Sequence, residues 1–126
     1  MTFNEYSEKA TELAVYSGQG QTNGLMYTTL GLCGEVGEFC EKIKKIIHEN
    51  DGKLNQVRYG EVAKELGDVM WYMATVVNEL NAWHYRSTPT GGTCLDMTFD
   101  DIARMNIEKL TDRAARGVLH GDGDNR

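Results

Sequence analysis

Apolar residues recur every three or four positions along most of this chain, a spacing that places them on one face of an α-helix. Four such runs predict helices from residue 2 to about 17 or 18, over 25–49, over 57–84, and from 98 to a stop at Gly117. Thr2 and Thr98 each stand three residues before an acid, which is a capping-box pattern that begins a helix. The chain has a single proline and good helix formers at most exposed positions. We therefore predict an all-α, bundle-like fold of four helices in a single domain spanning residues 1–126.

The two long central helices are separated by residues 49–53, whose Asp51-Gly52 step indicates a turn. They are therefore predicted to form a central antiparallel hairpin. A loop is expected over residues 86–97, which contain Pro89 and paired glycines. The polar residues 117–126 are expected to form a mobile C-terminal tail.

Each helix of this hairpin carries two acids three residues apart, Glu35 and Glu38 on the first and Glu65 and Asp68 on the second. That spacing places both carboxylates of a pair on the same helix face. The two pairs are equidistant from the centre of the turn, so an antiparallel hairpin brings them together. Like charges held that close are unfavourable without a counter-ion, and hard divalent cations prefer oxygen ligands. The sequence therefore predicts a metal site made of four carboxylates.

Three glycines, Gly31, Gly34 and Gly37, lie inside the first helix of the hairpin. Glycine costs about 0.5–1 kcal/mol there relative to alanine. Their presence fits two interpretations, close helix packing or room for a ligand beside the carboxylates.

The composition narrows the classes of partner. The formal net charge of −6 disfavours binding to nucleic acid or to an anionic membrane. No run of about 18 apolar residues, the length that crosses a bilayer, occurs. The three cysteines are odd in number and lack a C-x-x-C pair, which is typical of reduced thiols. We expect a cytoplasmic protein.

Other classes of site find no support in the sequence. There is no G-x-S-x-G, no Walker loop and no dinucleotide-binding glycine pattern. A di-iron carboxylate bundle needs Glu-x-x-His, and no histidine of this chain lies three residues after a glutamate.

The last helix carries a basic stripe formed by Asn106, Lys109, Arg113 and Arg116. One interpretation is a solvated face that complements the helix dipole. The other is phosphate binding, which is favoured by the presence of one basic stripe on an otherwise acidic protein.

The acid-bearing segments resemble those of the MazG-type all-α nucleoside triphosphate pyrophosphohydrolases, which carry E-x-x-E on one helix and E-x-x-D on the next. The similarity extends through residues 30–38 (LGLCGEVGE) and 64–72 (KELGDVMWY). Asn106, Lys109 and Arg113 resemble the family's N-x-x-K-L-x-x-R, and residues 121–126 resemble a G-x-G-D-N-R ending of some members. The chain departs from the family over residues 82–97, where the link between the last two helices is longer than usual.

The resemblance implies a Mg²⁺ site, with Mn²⁺ as the alternative ion, held by Glu35, Glu38, Glu65 and Asp68. It implies hydrolysis of an NTP or dNTP to the monophosphate and pyrophosphate, with Glu38 or Glu35 activating the water, in control of the nucleotide pool. Substrate contacts are expected from five residues: Lys109, Asn106, Arg113, Tyr72 and Lys42.

A homo-oligomer, either a dimer or a tetramer, is also implied. The helices independently favour one, because their apolar flanks are longer than one chain can cover. Trp71, Trp83 and Tyr85 are candidates for that interface or for stacking on a base. Two alternatives stand beside the enzyme: a non-enzymatic helical module that binds a metal or nucleotide, and a related pyrophosphohydrolase that acts on a phosphoribosylated nucleotide.

Overall fold

The computed structural model describes residues 1–49, 52–88 and 96–118. Within these ranges the chain forms helices and connecting turns and no strand. The helices are α1 (Phe3–Glu12), α2 (Thr22–Glu49), α3 (Gln56–Ser87) and α4 (Phe99–Ala115). The predicted all-α fold is confirmed.

Local sequence signals begin and end these helices. At the start of α1, the amide of Glu5 donates to Thr2 Oγ1 over 3.1 Å, and Glu5 Oε2 accepts from the amide of Thr2 over 2.7 Å. Thr98 and Asp101 form the same reciprocal box before α4. Gly117, with a φ of +68°, follows the end of α4. Because the bonds of each capping box satisfy backbone amides that the helix leaves unpaired, the starts of α1 and α4 are largely set by neighbours in sequence.

Three predicted helix boundaries were wrong. The first helix ends at Glu12, well before residues 17–18, α2 begins at Thr22 instead of residue 25, and α3 runs to Ser87 instead of residue 84. The early end of α1 has a tertiary cause, because residues 13–21 turn away from the helix to bring Tyr16 and Gly20 onto α3. Of the predicted loop and tail, residues 89–95 and 119–126 lie outside the described residues.

The contacts between α2 and α3 define an antiparallel hairpin. The ring of Tyr72 lies against Gly31, where an added Cβ would overlap it. Further along, Glu79 lies beside Gly24, where a Cβ would stand 2.8 Å from Oε2. Both pairs are equidistant from the point between residues 51 and 52, the register that the acid pairs predict. Thr28 and Thr75 occupy matching positions between these two contacts, and both side chains are fully buried.

The hydrophobic core of one chain is small. Among the described residues, one cluster consists of Ala10, Ala74, Val77 and Phe99, with four half-buried residues around it: Tyr6, Met70, Trp71 and Ile102. Ile46 and Val62 are also buried, on the hairpin. Much of the predicted apolar stripe on α2 stays accessible, for Val36 is 43% exposed and Ile47 is 64% exposed. One chain therefore covers only part of the apolar surface that its helices present.

Helices α1 and α4 are joined at their N-termini. The amide of Phe3 donates to Asp100 Oδ1 over 3.1 Å, and the amide of Asp100 donates to Asn4 Oδ1 over 2.9 Å. The rings of Phe3 and Phe99 meet with their centroids 5.0 Å apart. These contacts form a clasp between the two helix starts, which are 97 residues apart in sequence. Among the described residues, no helix combines the length and apolarity needed to cross a bilayer.

Candidate metal centre

Three of the four predicted acids meet at one point of the hairpin. Glu35, Glu38 and Glu65 each place a carboxylate oxygen within 4.8 Å of the others. Glu35 and Glu65 are half-buried, whereas Glu38 is exposed. Asp68 lies outside this group of three and is exposed. The sequence therefore predicted the convergence of Glu35, Glu38 and Glu65, and Asp68 stands at the edge of the cluster.

The charges of this cluster act on one another. Burial raises the pKa of the Glu35 carboxyl, and the negative charges of Glu38, Asp68 and Glu65 raise it further. Asp68 is thus close enough to Glu35 to disfavour its ionised form. The arrangement concentrates negative charge beside the core, where a cation would relieve the repulsion.

A tyrosine bounds one end of the cluster. Tyr72 is one helical turn after Asp68, and its ring lies on Gly31, one turn before Glu35. Burial raises the pKa of the Tyr72 phenol, followed by a hydrogen bond to Tyr27 and by the charges of Glu35 and Asp68. Gly31 therefore allows Tyr72 to pack closely on α2. A Cβ at Gly34 or Gly37 would meet nothing within 4 Å.

A lysine bounds the other end. Lys42 Nζ lies 3.5 Å from Glu65 Oε1 and joins α2 to α3. The carboxylates are therefore flanked by a phenol on one side and an ammonium group on the other, both within reach of a ligand held at the cluster.

The predicted basic stripe of α4 is not arranged as one solvated face. Asn106 and Lys109 are exposed and line a groove of about 430 Å³ with Met97, Ile102 and Met105. Arg113 is only 4% exposed. Helix α4 packs mainly on α1, whereas the acids lie between α2 and α3. Within the described part of one chain, the α4 residues therefore lie at a different helix–helix contact from the acid cluster.

The aromatic candidates differ in their surroundings. Trp71 is half-buried and meets Tyr72 edge-on, with centroids 4.8 Å apart. Trp83 and Tyr85 are exposed. Trp83 lines an apolar groove of about 440 Å³ beside Val77, Leu80 and Ile102. Trp71 therefore contacts both Tyr72 and the hydrophobic core.

A buried acid, Glu79, was missed at the sequence level. It is 3% exposed on α3, and its Oε1 accepts from the Tyr16 hydroxyl over 2.7 Å. The amide of Gly20 donates to Glu79 Oε2 over 2.9 Å. Burial and this carboxylate raise the pKa of Tyr16, whose ring stacks on Tyr27 with centroids 5.2 Å apart. Glu79 thereby ties the segment between α1 and α2 to the hairpin.

Two sequence signals could have located Glu79. It continues the polar stripe of α3 that passes through Asp68, Tyr72 and Thr75. The mirrored position on α2 is Gly24, which leaves space for a carboxylate. A stripe that continues opposite a glycine indicates an acid facing the partner helix.

The comparisons with known proteins agree with this architecture. The family model described as "MazG nucleotide pyrophosphohydrolase domain" matches residues 24–117, which include both long helices and α4. The chain is also 38% identical over 124 residues to "Gene 37 protein" of Mycobacterium phage L5, and the match covers 96% of each chain. That name describes no activity, and no solved structure matches. Since the family model covers most of the chain, this protein belongs to the MazG nucleotide pyrophosphohydrolase family.

Proposed function

We propose that this protein hydrolyses a nucleoside triphosphate, ribo or deoxyribo, to the monophosphate and pyrophosphate with the help of Mg²⁺. The observation that carries the proposal is the group of three carboxylates from two helices, whose oxygens lie within 4.8 Å of one another. Membership of the MazG family supports pyrophosphohydrolase chemistry for that group. The phage relative adds no information on the substrate.

The donor set fits a hard divalent cation. Glu35, Glu38 and Glu65 offer only carboxylate oxygens, and Asp68 is a fourth acid at the edge of the cluster. Mg²⁺ and Mn²⁺ prefer such ligands. When bound, the ion supplies positive charge to a polyphosphate and acidifies water.

The remaining roles in the reaction are assigned to residues of the chain. A water oxygen attacks the α-phosphorus, the bond from that phosphorus to the oxygen that bridges it to the β-phosphorus breaks, and pyrophosphate leaves. In this proposal Glu38 accepts the proton of the attacking water, because it is the exposed member of the three and can pass the proton to solvent. Glu35 and Glu65, both half-buried, and Asp68 at the edge of the cluster would hold the ion.

The substrate is proposed to lie along the seam between Tyr72 and Lys42. Lys42 is the cation nearest to the cluster among the described ion pairs and would contact a phosphate. Lys109, Asn106 and Arg113 on α4 remain proposed phosphate contacts. These residues lie on α4, which packs mainly on α1 rather than on the hairpin, and this favours a site completed between protomers.

The working unit is proposed to be a cytoplasmic homo-oligomer. The apolar residues left accessible on α2 support assembly, and the exposed free thiols of Cys33 and Cys40 fit a reducing compartment. Control of the nucleotide pool is the corresponding role.

The test is release of pyrophosphate from a panel of NTPs and dNTPs, with Mg²⁺ or with chelator. Glu38→Gln and Asp68→Asn should each lower the rate about 100-fold or more, the scale of losing a catalytic or metal-holding group. The matched control is Glu41→Gln on the same helix, since Glu41 pairs with Lys44 and Lys45 and lies outside the cluster. Wild-type turnover in either variant would reject the assigned site. Bound metal without product in the wild type would reject the enzyme in favour of a binding module.

A further inference from the structure

Glu65 has two potential cationic partners. Its Oε1 lies 3.5 Å from Lys42 Nζ, and its carboxylate also belongs to the group formed with Glu35 and Glu38. A divalent cation held by that group would take up negative charge that Lys42 otherwise balances. The Glu65 carboxylate would then pair with the Lys42 ammonium group first and bind the divalent cation afterwards.

Lys42 is suited to such an exchange. It lies one turn after Glu38 on α2, so its side chain follows the same edge of the helix. The Lys42 side chain is 37% exposed, whereas that of Glu65 is 14% exposed. An exposed lysine pair at this distance is weak, and a flexible four-carbon stem lets the ammonium group move without backbone change.

The other lysines of this part of α2 differ. Lys44 and Lys45 both pair with Glu41, which does not belong to the acid cluster. They share the helix and the charge of Lys42 but not its carboxylate partner. Substituting Lys45 therefore controls for the general effect of removing a positive charge from α2.

We infer that Lys42 is an exchangeable counter-ion, which balances Glu65 in the metal-free protein and turns to the polyphosphate once a divalent cation has displaced it. The inference rests on the proposed function. Two cations that use one carboxylate each weaken the binding of the other, and this coupling is reciprocal. An ammonium group freed beside the site attracts the anionic substrate. Loss of the Lys42 charge must therefore act with opposite signs on the two ligands.

A purely structural ion pair between α2 and α3 makes a different prediction. Its removal would change the melting temperature, yet it would not tighten one ligand while weakening the other. The opposite signs are what separates exchange from simple bridging.

Titration calorimetry tests the inference without turnover. The first ligand is Mn²⁺ alone, and the second is a triphosphate with an α,β-imido bridge, added in saturating Mn²⁺. Lys42→Met should bind Mn²⁺ about threefold more tightly and the analogue about threefold more weakly, which is the scale of one exposed ion pair. Lys42→Arg, which keeps the charge, should stay close to wild type in both titrations, and so should Lys45→Met.

The outcomes are distinct. Unchanged or weaker Mn²⁺ binding in Lys42→Met, with the wild type binding Mn²⁺, overturns the exchange and leaves the proposed function in place. A wild type that binds no divalent cation overturns both. If Lys42→Met does not fold, Lys42→Gln is titrated instead, with the same expected signs.

Discussion

Gly31→Ala tests the register of the hairpin most directly. The ring of Tyr72 occupies the space that a side chain at position 31 would need, and a Cβ there would overlap the ring. The ring cannot shift freely, because Trp71 meets it edge-on and α2 lies beneath it. The substitution must therefore displace Tyr72 or separate the two helices.

The size of the effect follows from two opposing contributions. Overpacking by one methyl group costs typically about 1–3 kcal/mol. Replacing glycine by alanine inside a helix returns about 0.5–1 kcal/mol. Taking the middle of each range, the balance is a loss of about 1.2 kcal/mol in the free energy of unfolding. At about 4 °C per kcal/mol for a domain of this size, Tm should fall by about 5 °C.

Gly34→Ala and Gly37→Ala are the matched controls. Both positions are on the same helix, and a Cβ at either would meet nothing within 4 Å. Only the helix-propensity gain remains, so each should raise Tm by about 2–4 °C. Circular-dichroism melts at one protein concentration compare all three variants with wild type. A Gly31→Ala protein that melts at or above wild type would contradict the packing of Tyr72 on α2, and a fall for Gly34→Ala would show that another chain covers that face.

Three further predictions concern charge, burial and assembly. The pKa of Glu35 is raised above 4.5 in the folded protein, so its ionisation destabilises the fold as pH rises through that raised value. In chelator, Glu35→Gln should therefore raise Tm at pH ~7 but not at pH ~4. Glu41→Gln should give no such gain, because lysines lower the pKa of Glu41, and a gain of equal size in both variants would show that Glu35 has no special surroundings. Glu79→Gln should destabilise the protein by about 1–3 kcal/mol in urea unfolding, since the amide loses the negative charge and keeps one acceptor oxygen in place of two, and wild-type stability would refute the tie to Tyr16. Light scattering at micromolar concentration should give a mass above the 14.1 kDa of one chain, and a stable monomer would refute the proposed oligomer.

The sequence predicted those parts of the fold that depend on local rules. The capping boxes at Thr2 and Thr98 form as expected, because their partners are three residues away. The hairpin register also followed from spacing alone, since the mirrored acid pairs allow one alignment that brings them together. That alignment places Gly31 against Tyr72.

The parts that the sequence did not predict depend on distant partners. The first helix stops early because Tyr16 and Gly20 bind Glu79, 59 or more residues away, and periodicity carries no information on such bonds. The basic stripe was drawn from helical spacing, yet Arg113 is buried, which spacing cannot show. Asp68 is not one of the three acids whose oxygens converge, although its spacing matches theirs.

The clasp between α1 and α4 has a consequence for the order in which the chain folds. It joins groups 96 and 97 residues apart, whereas the acids of the cluster lie within residues 35–68 of one hairpin. The entropy lost on closing a loop grows with its length, and local contacts form faster than distant ones. The acid cluster should therefore be assembled while the chain ends are still apart. On a ribosome, α1 emerges before its partners and can pack on α3 once that helix is made, whereas the clasp closes only when the start of α4 has emerged.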